Sequence, residues 1–409
     1  MSTPRLPLMP LDQALGELLA LATPPSETEW VTTFQADGRA LARDLVSVLH
    51  VPAHDNSSMD GYALRCTDVA EAGTVLPLSQ RIAAGSLAMP LAAGSVARIF
   101  TGAPIPPGAD AVVMQEDCAV TAPGEICIRT VPVAGQWIRR AGEDVASGTI
   151  VLSKGERLTP AALGLAASIG MHQVPVVRRL RVALFCTGDE LVMPGAVAPQ
   201  DMRPGSIYNS NRFFLRALLL RLGCEVSDFG IVPDRLDATM RALQSAAQGH
   251  DLILTSGGVS VGEEDHVKAA VQALGSIRLW QIAIKPGKPF ACGRVENSHF
   301  IGLPGNPVSS FVTFLLLVRP FLLKLGGARQ IAIKSVAANA HFTWPRADKR
   351  REFLRVRRNP EGGLDLFANQ SSAVLTSAVW GDGLIDNPPG QTIGYGDVVR
   401  YLPFAELLA

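Results

Sequence analysis

The chain is organised around the stretch Asp251-Leu-Ile-Leu-Thr-Ser-Gly-Gly-Val-Ser-Val-Gly-Glu-Glu-Asp-His-Val-Lys268. Its apolar start stops at Ser256-Gly257-Gly258, and an amphipathic pattern resumes at Val267, which predicts a strand, a loop and a helix. Two glycines let the backbone approach an oxyanion closely, and the N–H groups at a helix start favour negative charge. The sequence therefore predicts an anion-binding loop with Ser256, Gly257 and Gly258 as substrate-binding residues.

Three acidic residues, Glu263, Glu264 and Asp265, crowd the same loop. Carboxylates beside an anion site fit a divalent cation between them, because Mg²⁺ binds one or two carboxylates together with phosphate oxygens. Glu263 and Glu264 are also explained by the preference of acidic residues for a helix N-terminus. Asp265 is the residue that we expect to bind the metal.

Composition limits the class of protein. A chain of 409 residues exceeds one core, so two to four domains are expected. Lys plus Arg equals Asp plus Glu at 37 each, which provides no global field for nucleic acid or a membrane surface. The six cysteines contain no C-x-x-C pair, which favours a reducing cytoplasm over a disulfide framework or a zinc site. No signal peptide is recognised, and residues 311–318 are too short an apolar run to span a bilayer, so a soluble cytoplasmic protein is expected.

Changes in the pattern of apolar and turn-forming residues along the chain predict four domains. Residues 1–28 and 148–177 have helical spacing and form a discontinuous helical linker or dimerisation domain. Residues 29–147 carry short β-prone runs separated by Gly and Pro, which predicts a protruding β-rich domain. Strand and helix patterns alternate over residues 178–328, and residues 329–409 are β-patterned again, as in a small barrel.

The alternation over residues 178–328 predicts a three-layer α/β/α domain with a mostly parallel sheet. Ligands in this architecture bind beyond the carboxyl ends of the strands. Polar clusters fall at these ends: Thr187-Gly-Asp-Glu190, Pro233-Asp234, Ser256-Gly257-Gly258, Lys285-Pro-Gly-Lys288 and Gly302-Leu-Pro-Gly-Asn-Pro307. The last cluster contributes Pro304 and Gly305 to the predicted binding site.

Three features favour metal-assisted chemistry on a phosphate or another oxyanion. They are the glycine-containing loops whose backbone N–H groups can bind an anion, the lysine pair Lys285 and Lys288, and the aspartates at separate loop ends. The sequence has no G-x-S-x-G, no H-E-x-x-H and no G-x-x-x-x-G-K-[ST] motif. A basic run at residues 346–358 is either a solvated face or a partner for a highly anionic ligand.

The motifs as a set closely resemble the molybdopterin molybdenumtransferase family, which comprises the bacterial MoeA proteins and the E domain of gephyrin. The resemblance covers essentially the whole chain, in order. Its motifs are Asp55-Asn-Ser-Ser-Met-Asp-Gly-Tyr-Ala63, Thr101-Gly-Ala-Pro104, Arg140-Ala-Gly-Glu-Asp144, Thr187-Gly-Asp-Glu190, Ser256-Gly-Gly-Val-Ser-Val-Gly262, Lys285-Pro-Gly-Lys-Pro289 and Gly302-Leu-Pro-Gly-Asn-Pro307.

The resemblance implies a four-domain, elongated homodimer whose site is shared between protomers. Its substrates would be adenylylated molybdopterin and molybdate, and it would cleave the adenylyl group in a Mg²⁺-dependent step to release molybdenum cofactor. An adenylyltransferase of the same pathway would deliver the substrate, and molybdoenzyme-specific chaperones would receive the product.

The resemblance also assigns residues. Catalytic positions fall on Asp60, Thr101, Glu190, Asp234 and Asp265, with Asp265 and Asp234 at the metal. Lys285, Lys288, Arg351 and Ser372 fall on binding positions, although Arg350 beside Arg351 could share that task. The chain reads Gln370-Ser-Ser-Ala373 where the family commonly reads Gln-Gly-Ser-Gly, so the position of Ser372 departs from the pattern.

Two other functions remain compatible with the residues. A molybdopterin adenylyltransferase shares the α/β domain but tends to carry Gly-Gly-Thr-Gly where this chain has Gly257-Gly-Val-Ser260, and it lacks the flanking domains. A non-enzymatic scaffold such as gephyrin draws on a fused second domain and a long linker. Release of AMP from adenylylated molybdopterin distinguishes these functions.

Overall fold

The computed structural model describes residues 8–258 and 266–408, so the predicted metal ligand Asp265 and its neighbours Glu263 and Glu264 lie outside the described residues. The helices in chain order are α1 Leu11–Leu21, α2 Pro160–Ser168, α3 Asn211–Arg221, α4 Leu236–Ala247, α5 His266–Leu274, α6 Pro307–Thr313, α7 Arg319–Leu325, α8 Thr376–Trp380 and α9 Phe404–Leu407.

The strands of the first half of the chain are β1 Leu8–Met9, β2 Thr28–Thr32, β3 Leu45–Val46, β4 Asn56–Ser57, β5 Gly61–Leu64, β6 Thr74–Ile82, β7 Val96–Ile99, β8 Ala111–Met114, β9 Cys118–Ala122, β10 Glu125–Ile128, β11 Ile138–Arg139, β12 Ile150–Leu152 and β13 Gln173–Val177. Those of the second half are β14 Arg181–Thr187, β15 Leu191–Val192, β16 Ile207–Tyr208, β17 Glu225–Val232, β18 Leu252–Ser256, β19 Gly275–Ile282, β20 Ile284–Lys285, β21 Pro289–Val295, β22 Ser298–Leu303, β23 Val336–Ala340, β24 Arg351–Arg358, β25 Gly363–Leu366, β26 Gly383–Asn387 and β27 Val398–Pro403.

A seven-stranded sheet of order β1-β19-β21-β22-β18-β14-β17 forms the centre of the molecule. Alternate residues of its strands point to opposite faces, so Val182 and Leu184 enter one core while Ala183 and Phe185 enter another. The first core takes apolar side chains from α1, α3, α6 and α7, and the second takes them from α4 and α5. The predicted three-layer α/β/α arrangement is confirmed.

The sheet is mixed at one point, because β21 runs antiparallel to both β19 and β22. The residue pattern predicts one strand over residues 279–285 and no strand over residues 289–295, where the structure has β21. Pro286 has no backbone N–H to donate to a β-sheet hydrogen bond, and the observed strand β19 ends before it, at Ile282. Since β19 and β22 both run antiparallel to β21, they are parallel to each other, and the carboxyl end of β19 still lies at the predicted edge.

The two helices that the sequence groups in one helical domain bury their apolar faces in different cores. Leu11, Ala14 and Leu18 of α1 pack in the core shared with α3, α6 and α7. Ala162 and Ala166 of α2 pack in a separate cluster with apolar residues of the short strands β3, β12 and β13. The N-terminal segment is thus continuous with the α/β core, and the domain limits stay a prediction.

The β-rich part contains a six-stranded sheet of order β8-β5-β7-β6-β10-β9. The C-terminal part is a closed barrel of β24, β25, β23, β27 and β26, since β26 pairs back to β24. Strand β20 of the central region adds to β24 in parallel, which pairs Lys285 with Glu352 in register. This short ladder brings the barrel against the edge of the central domain.

Helices α6 and α7 are joined by a π-helical turn at Phe314–Val318 and form one continuous rod over Pro307–Leu325. By length and mean hydropathy (1.8) this rod could cross a membrane, but 89% of it is buried inside the protein. Each buried Leu or Phe stabilises the fold by about 1.5–3 kcal/mol, so the rod anchors the largest core.

Candidate functional site

A cleft of about 630 Å³ opens beyond the carboxyl ends of β14 and β18, where the sequence places the site. Seven predicted site residues line it: Glu190, Asp234, Ser256, Gly257, Gly258, Pro304 and Gly305. The other lining residues are Cys186, Thr187, Gly188, Leu191, Ile207, Tyr208, Asn209, Ser210, Asn211, Pro289, Asn306, Pro307, Ser309 and Ala373. Four different strand ends therefore contribute to one cavity.

The glycine pair lines the cleft because only glycine fits there. Gly257 and Gly258 have φ angles of +93° and +64°, which side-chain-bearing residues rarely adopt. A Cβ on Gly257 would come within 2.6 Å of the Thr187 carbonyl oxygen, and one on Gly258 within 2.4 Å of Val267 Cγ2. The backbone in this wall of the cleft is therefore bare, as the predicted close approach to an anion requires.

Ser256 is held in place by a hydrogen-bond network. Asn211 Nδ2 donates to Ser256 Oγ at 2.8 Å and to the Gly305 carbonyl oxygen at 2.7 Å. Ser256 Oγ in turn donates to the Pro304 carbonyl oxygen at 3.1 Å. Ser256 is only 2% exposed, so Asn211 ties two loops of the cleft together and orients a nearly buried hydroxyl.

Two buried polar atoms on the cleft wall lack a partner among the described residues, namely Thr187 Oγ1 and Asn209 Nδ2. Buried polar groups are normally hydrogen-bonded, so unpaired ones on a cleft wall are available to bind a ligand. Cys186 beside them is not an obvious nucleophile, because burial raises the pKa of its thiol to about 11. The wall thus offers hydrogen bonds and no thiolate.

Glu190 and Asp234 bring two carboxylates to the cleft. Asp234 is positioned through its backbone N–H, which donates to Asp189 Oδ1 at 3.1 Å. Within residues 8–258 and 266–408, no group of three or more His, Cys, Asp or Glu side chains could hold a metal ion. Two carboxylates fit a Mg²⁺ that takes its remaining ligands from phosphate oxygens and water.

Lys285 lies where the central domain contacts the barrel. Its Nζ is 2.9 Å from Glu352 Oε1 and 3.3 Å from Asp348 Oδ2. Glu352 is only 1% exposed, and its second oxygen accepts a hydrogen bond from Trp344 Nε1. Lys288 is exposed and forms no ion pair with any described residue.

Arg350 and Arg351, adjacent in sequence, have different partners. Arg350 binds Asp348, the carboxylate that also contacts Lys285, and its hydrogen bonds hold the pKa of Asp348 well below the usual range. Arg351 binds Asp386 through both carboxylate oxygens, at 2.5 and 2.7 Å, and also reaches Asp12. The residue joined to the Lys285 group is therefore Arg350.

The basic run at residues 346–358 is distributed over several surroundings and is not one charged face. Arg355 is 1% exposed and donates to Ser377 Oγ and to the carbonyl oxygens of Phe353 and Ser371. Burial lowers the pKa of this guanidinium to about 10. The interpretation of the whole run as an anion partner therefore fails for Arg355, which instead supports the loop of Ser371.

Ser372 lies on that loop at the border of the cleft. Asn306 Nδ2 donates to Ser372 Oγ at 3.2 Å, and the backbone N–H of Val308 donates to the Ser372 carbonyl oxygen at 2.9 Å. The next residue, Ala373, lines the cleft. Despite the altered motif, the hydroxyl of Ser372 therefore lies against the start of α6.

Asp60 and Thr101 form an exposed pair in the β-rich part. The backbone N–H and the hydroxyl of Thr101 both donate to Asp60 Oδ1 at 2.8 Å. These bonds, the backbone one foremost, lower the pKa of the Asp60 carboxyl. Among the described residues, those that line the cleft all come from residue 186 onward, so one chain does not bring this pair into the cavity.

The structure thus gathers seven predicted residues in one cleft and leaves Asp60, Thr101, Lys285, Lys288, Arg351 and Ser372 outside its lining. Asn209, Asn211 and Glu352 were not predicted as site residues from the sequence. Asn209 and Ser210 lead into α3, and Asn211 is its first residue, so the three resemble an ordinary helix start, and the pattern gives no sign of their contribution to the cleft. Only the parallel pairing of β20 with β24 indicates Glu352.

Known families match three parts of the chain in order. Residues 9–170 match the MoeA N-terminal region (domain I and II), residues 183–324 a probable molybdopterin binding domain, and residues 337–404 the MoeA C-terminal region (domain IV). A molybdopterin molybdenumtransferase of Haemophilus influenzae is 44% identical over 79% of this chain and 79% of its own length. One of Synechococcus elongatus is 40% identical over 90% and 92%.

Solved structures agree with the sequence matches. A molybdopterin biosynthesis MoeA protein of Pyrococcus horikoshii superimposes with a TM-score of 0.84 at 28% identity, over 97% of this chain and 100% of that one. A second molybdopterin biosynthesis MoeA structure from the same organism gives a TM-score of 0.78 at 31% identity, over 97% and 99%. By sequence and by fold, the chain belongs to the molybdopterin molybdenumtransferase family.

Proposed function

We propose that the protein inserts molybdenum into molybdopterin and so completes molybdenum cofactor. The substrates in this proposal are adenylylated molybdopterin and molybdate, and AMP is released. The observation that carries it is the cleft, in which a bare glycine backbone, the unpaired Thr187 hydroxyl and two carboxylates surround one cavity. Such a wall supplies hydrogen bonds to a phosphate while its carboxylates face the same space.

The charged groups suit this substrate. Lys285, Lys288 and Arg350 would balance the charge of phosphate or molybdate, since charge-assisted hydrogen bonds to oxyanions are the strong ones. Glu190 and Asp234, together with the predicted ligand Asp265, would hold Mg²⁺. When bound, Mg²⁺ would neutralise charge on the phosphate oxygens during adenylyl cleavage.

A homodimer is part of the proposal. Large apolar side chains stand exposed near the short strands β2 and β3, with Phe34 98%, Val48 80% and Trp30 56% exposed. Exposed apolar groups of this size are typical of interaction surfaces. A two-fold dimer through such a surface would let the Asp60–Thr101 pair of one protomer complete the cleft of its partner.

The same proposal implies partner proteins and a cellular compartment. An adenylyltransferase would supply the substrate, and molybdoenzyme-specific chaperones would accept the product. All six cysteines are free, which fits a reducing cytoplasm.

Turnover tests the function. Purified full-length protein is given adenylylated molybdopterin, and AMP release and reconstitution of a molybdenum-free apoenzyme are measured with and without molybdate and Mg²⁺. We expect both products only when both additions are present. Synthesis of adenylylated molybdopterin from ATP would instead indicate an adenylyltransferase, and no chemistry at all would favour a scaffold.

The predicted metal ligand has its own variant. Asp265→Asn keeps the size of the side chain but removes the charge that attracts Mg²⁺, so AMP release should be largely lost while the fold remains. Near-normal turnover at ordinary Mg²⁺ would contradict the metal-binding role.

A further inference from the structure

One face of the β-rich sheet carries two arginines and two aromatic rings side by side. The register of neighbouring strands sets Tyr62 of β5 opposite Arg98 of β7, and Arg98 opposite Arg81 of β6. The guanidinium carbons of Arg81 and Arg98 lie 4.5 and 4.7 Å from the centroid of the Phe100 ring, and that of Arg98 lies 5.1 Å from the Tyr62 ring. We call these four residues the arginine–aromatic patch.

The patch places two positive charges side by side, and neither guanidinium forms an ion pair with a described residue. The hydrogen bonds from Thr101 lower the pKa of the Asp60 carboxyl, and Arg98 lies close enough to that carboxyl to add to the effect. Like charges directly opposite each other on neighbouring strands are destabilising. Arg98 donates only to neutral acceptors, the Gly61 carbonyl oxygen at 3.0 Å and Gln115 Oε1 at 2.5 Å. Arg81 is exposed and makes no hydrogen bond or ion pair with any described residue. Its donors are therefore available to an anion.

The patch adjoins the Asp60–Thr101 pair. Phe100 directly precedes Thr101, and the carbonyl group that Arg98 binds belongs to Gly61, the residue after Asp60. The backbone of Thr101 is fixed by its hydrogen bond to Asp60. A ligand held on the patch would therefore lie next to this carboxylate and hydroxyl.

We propose that the arginine–aromatic patch binds a planar heteroaromatic ring that carries a phosphate. Guanidinium groups bind phosphate in a forked geometry, and flat rings stack on arginine and aromatic faces. This inference rests on the proposed function, because adenylylated molybdopterin contains two such groups, the adenylate and the phosphate-bearing pterin. The patch would hold one of them beside Asp60 and Thr101 in the shared site of the dimer.

Binding to the full-length protein tests the proposal with three probes: AMP, molybdopterin without the adenylyl group, and inorganic phosphate. We expect Arg81→Gln and Arg98→Gln each to weaken binding of a ring-bearing probe about tenfold, the effect of one lost charge-assisted hydrogen bond. Loss with AMP alone identifies the adenylate as the ligand, and loss with molybdopterin alone identifies the pterin. Phe100→Leu should weaken the ring-bearing probe and leave inorganic phosphate unchanged.

Arg129→Gln is the matched control. Arg129 is an exposed arginine just after β10 in the same part of the protein, and its side chain makes no hydrogen bond or ion pair with any described residue. Its variant should bind within about twofold of the parent. Arg81→Gln should also unfold close to the parent's temperature, because relief of the repulsion from Arg98 offsets the loss of the contact between Arg81 and the Phe100 ring. A clear fall in that temperature would indicate a structural role and overturn the proposal.

The remaining outcomes separate this inference from the proposed function. If Arg81→Gln binds every probe as Arg129→Gln does while the parent turns over, the patch proposal is wrong and the function stands. If the patch binds a probe as expected but the parent releases no AMP from adenylylated molybdopterin, the function is wrong and the binding site stands.

Discussion

At the scale of single residues, the Asp60–Thr101 pair shows how the backbone N–H and the hydroxyl of one residue together favour the ionised form of a carboxylate. Both hydrogen bonds to Asp60 come from Thr101 and favour the ionised form, so the pKa of Asp60 is lowered. When the pKa of a carboxyl is lower in the folded protein than in the unfolded chain, its ionised form stabilises the fold at any pH above the unfolded-state pKa. This stabilisation is lost as the pH falls through the pKa of the folded state. Asp60 is therefore expected to stay charged into the acid range.

Thr101→Val removes the hydroxyl donor and keeps the backbone donor. We expect the pKa of Asp60 to rise towards its ordinary value, and the acid limb of the kcat/KM profile to move to higher pH if ionised Asp60 is required. Carboxyl chemical shifts measured against pH report the first effect and AMP release the second. Thr121→Val, at an exposed position of β9, should change neither; an unmoved Asp60 pKa in Thr101→Val would contradict the assignment.

Lys285 and Lys288 form a second pair whose members differ in surroundings. Lys285→Gln leaves the nearly buried Glu352 without its cation, so we expect a loss of about 1–3 kcal/mol in the free energy of unfolding. Lys288→Gln should change it by less than about 0.5 kcal/mol, as exposed substitutions do. Urea unfolding measures both. Equal stability of the two variants would show that the Lys285–Glu352 pair contributes little.

At the scale of elements, β24 separates two neighbouring arginines. Arg350 precedes the strand and pairs with Asp348, the carboxylate that also binds Lys285. Arg351 is the first residue of the strand and pairs with the buried Asp386. The short ladder between β20 and β24 creates this division by placing Lys285 beside the start of the strand. Substrate binding and barrel stability are therefore expected to depend on different arginines.

Parallel variants test that division. Arg350→Gln should lower kcat/KM about tenfold or more, because it removes a charge-assisted contact next to Lys285, and should cost at most about 1 kcal/mol of stability. Arg351→Gln should mainly destabilise, by about 1–3 kcal/mol, since Asp386 is 4% exposed and loses its two-point partner. AMP release and urea unfolding are measured for both. The reverse pattern, with activity lost only in Arg351→Gln, would place Arg351 in the site.

The elements also show what the sequence could and could not predict. Turn chemistry and apolar runs predicted the carboxyl edge of the sheet, and the structure places Glu190, Asp234 and the glycine pair of that edge in the lining of the cleft. Strand β21 was missed because it starts on Pro289 and carries Gly293, both poor strand signals. Contacts such as Lys285 with Glu352 join residues 67 positions apart, and a periodic pattern holds no information on such pairs.

At the scale of the whole molecule, the predicted site is divided between two regions. The cleft belongs to the central domain, and its described lining includes no residue of the β-rich part, although Asp60 and Thr101 belong to the same predicted site. Phe34, Val48 and Trp30 are exposed, and in the proposed dimer a second copy of the chain would cover them. A two-fold dimer is the simplest arrangement that unites both groups, because each protomer then donates its pair to the other.

Subunit mixing tests this sharing. Asp60→Ala and Asp234→Ala variants, each shown to be inactive alone, are denatured and refolded together in equal amounts. With random pairing about half of the dimers are mixed, and in each of these a shared arrangement leaves one site with both changes and one with neither. About a quarter of the parent's activity should then return. If each site lies within one chain, every site carries a change and no activity returns, provided that differently tagged subunits are shown to have exchanged.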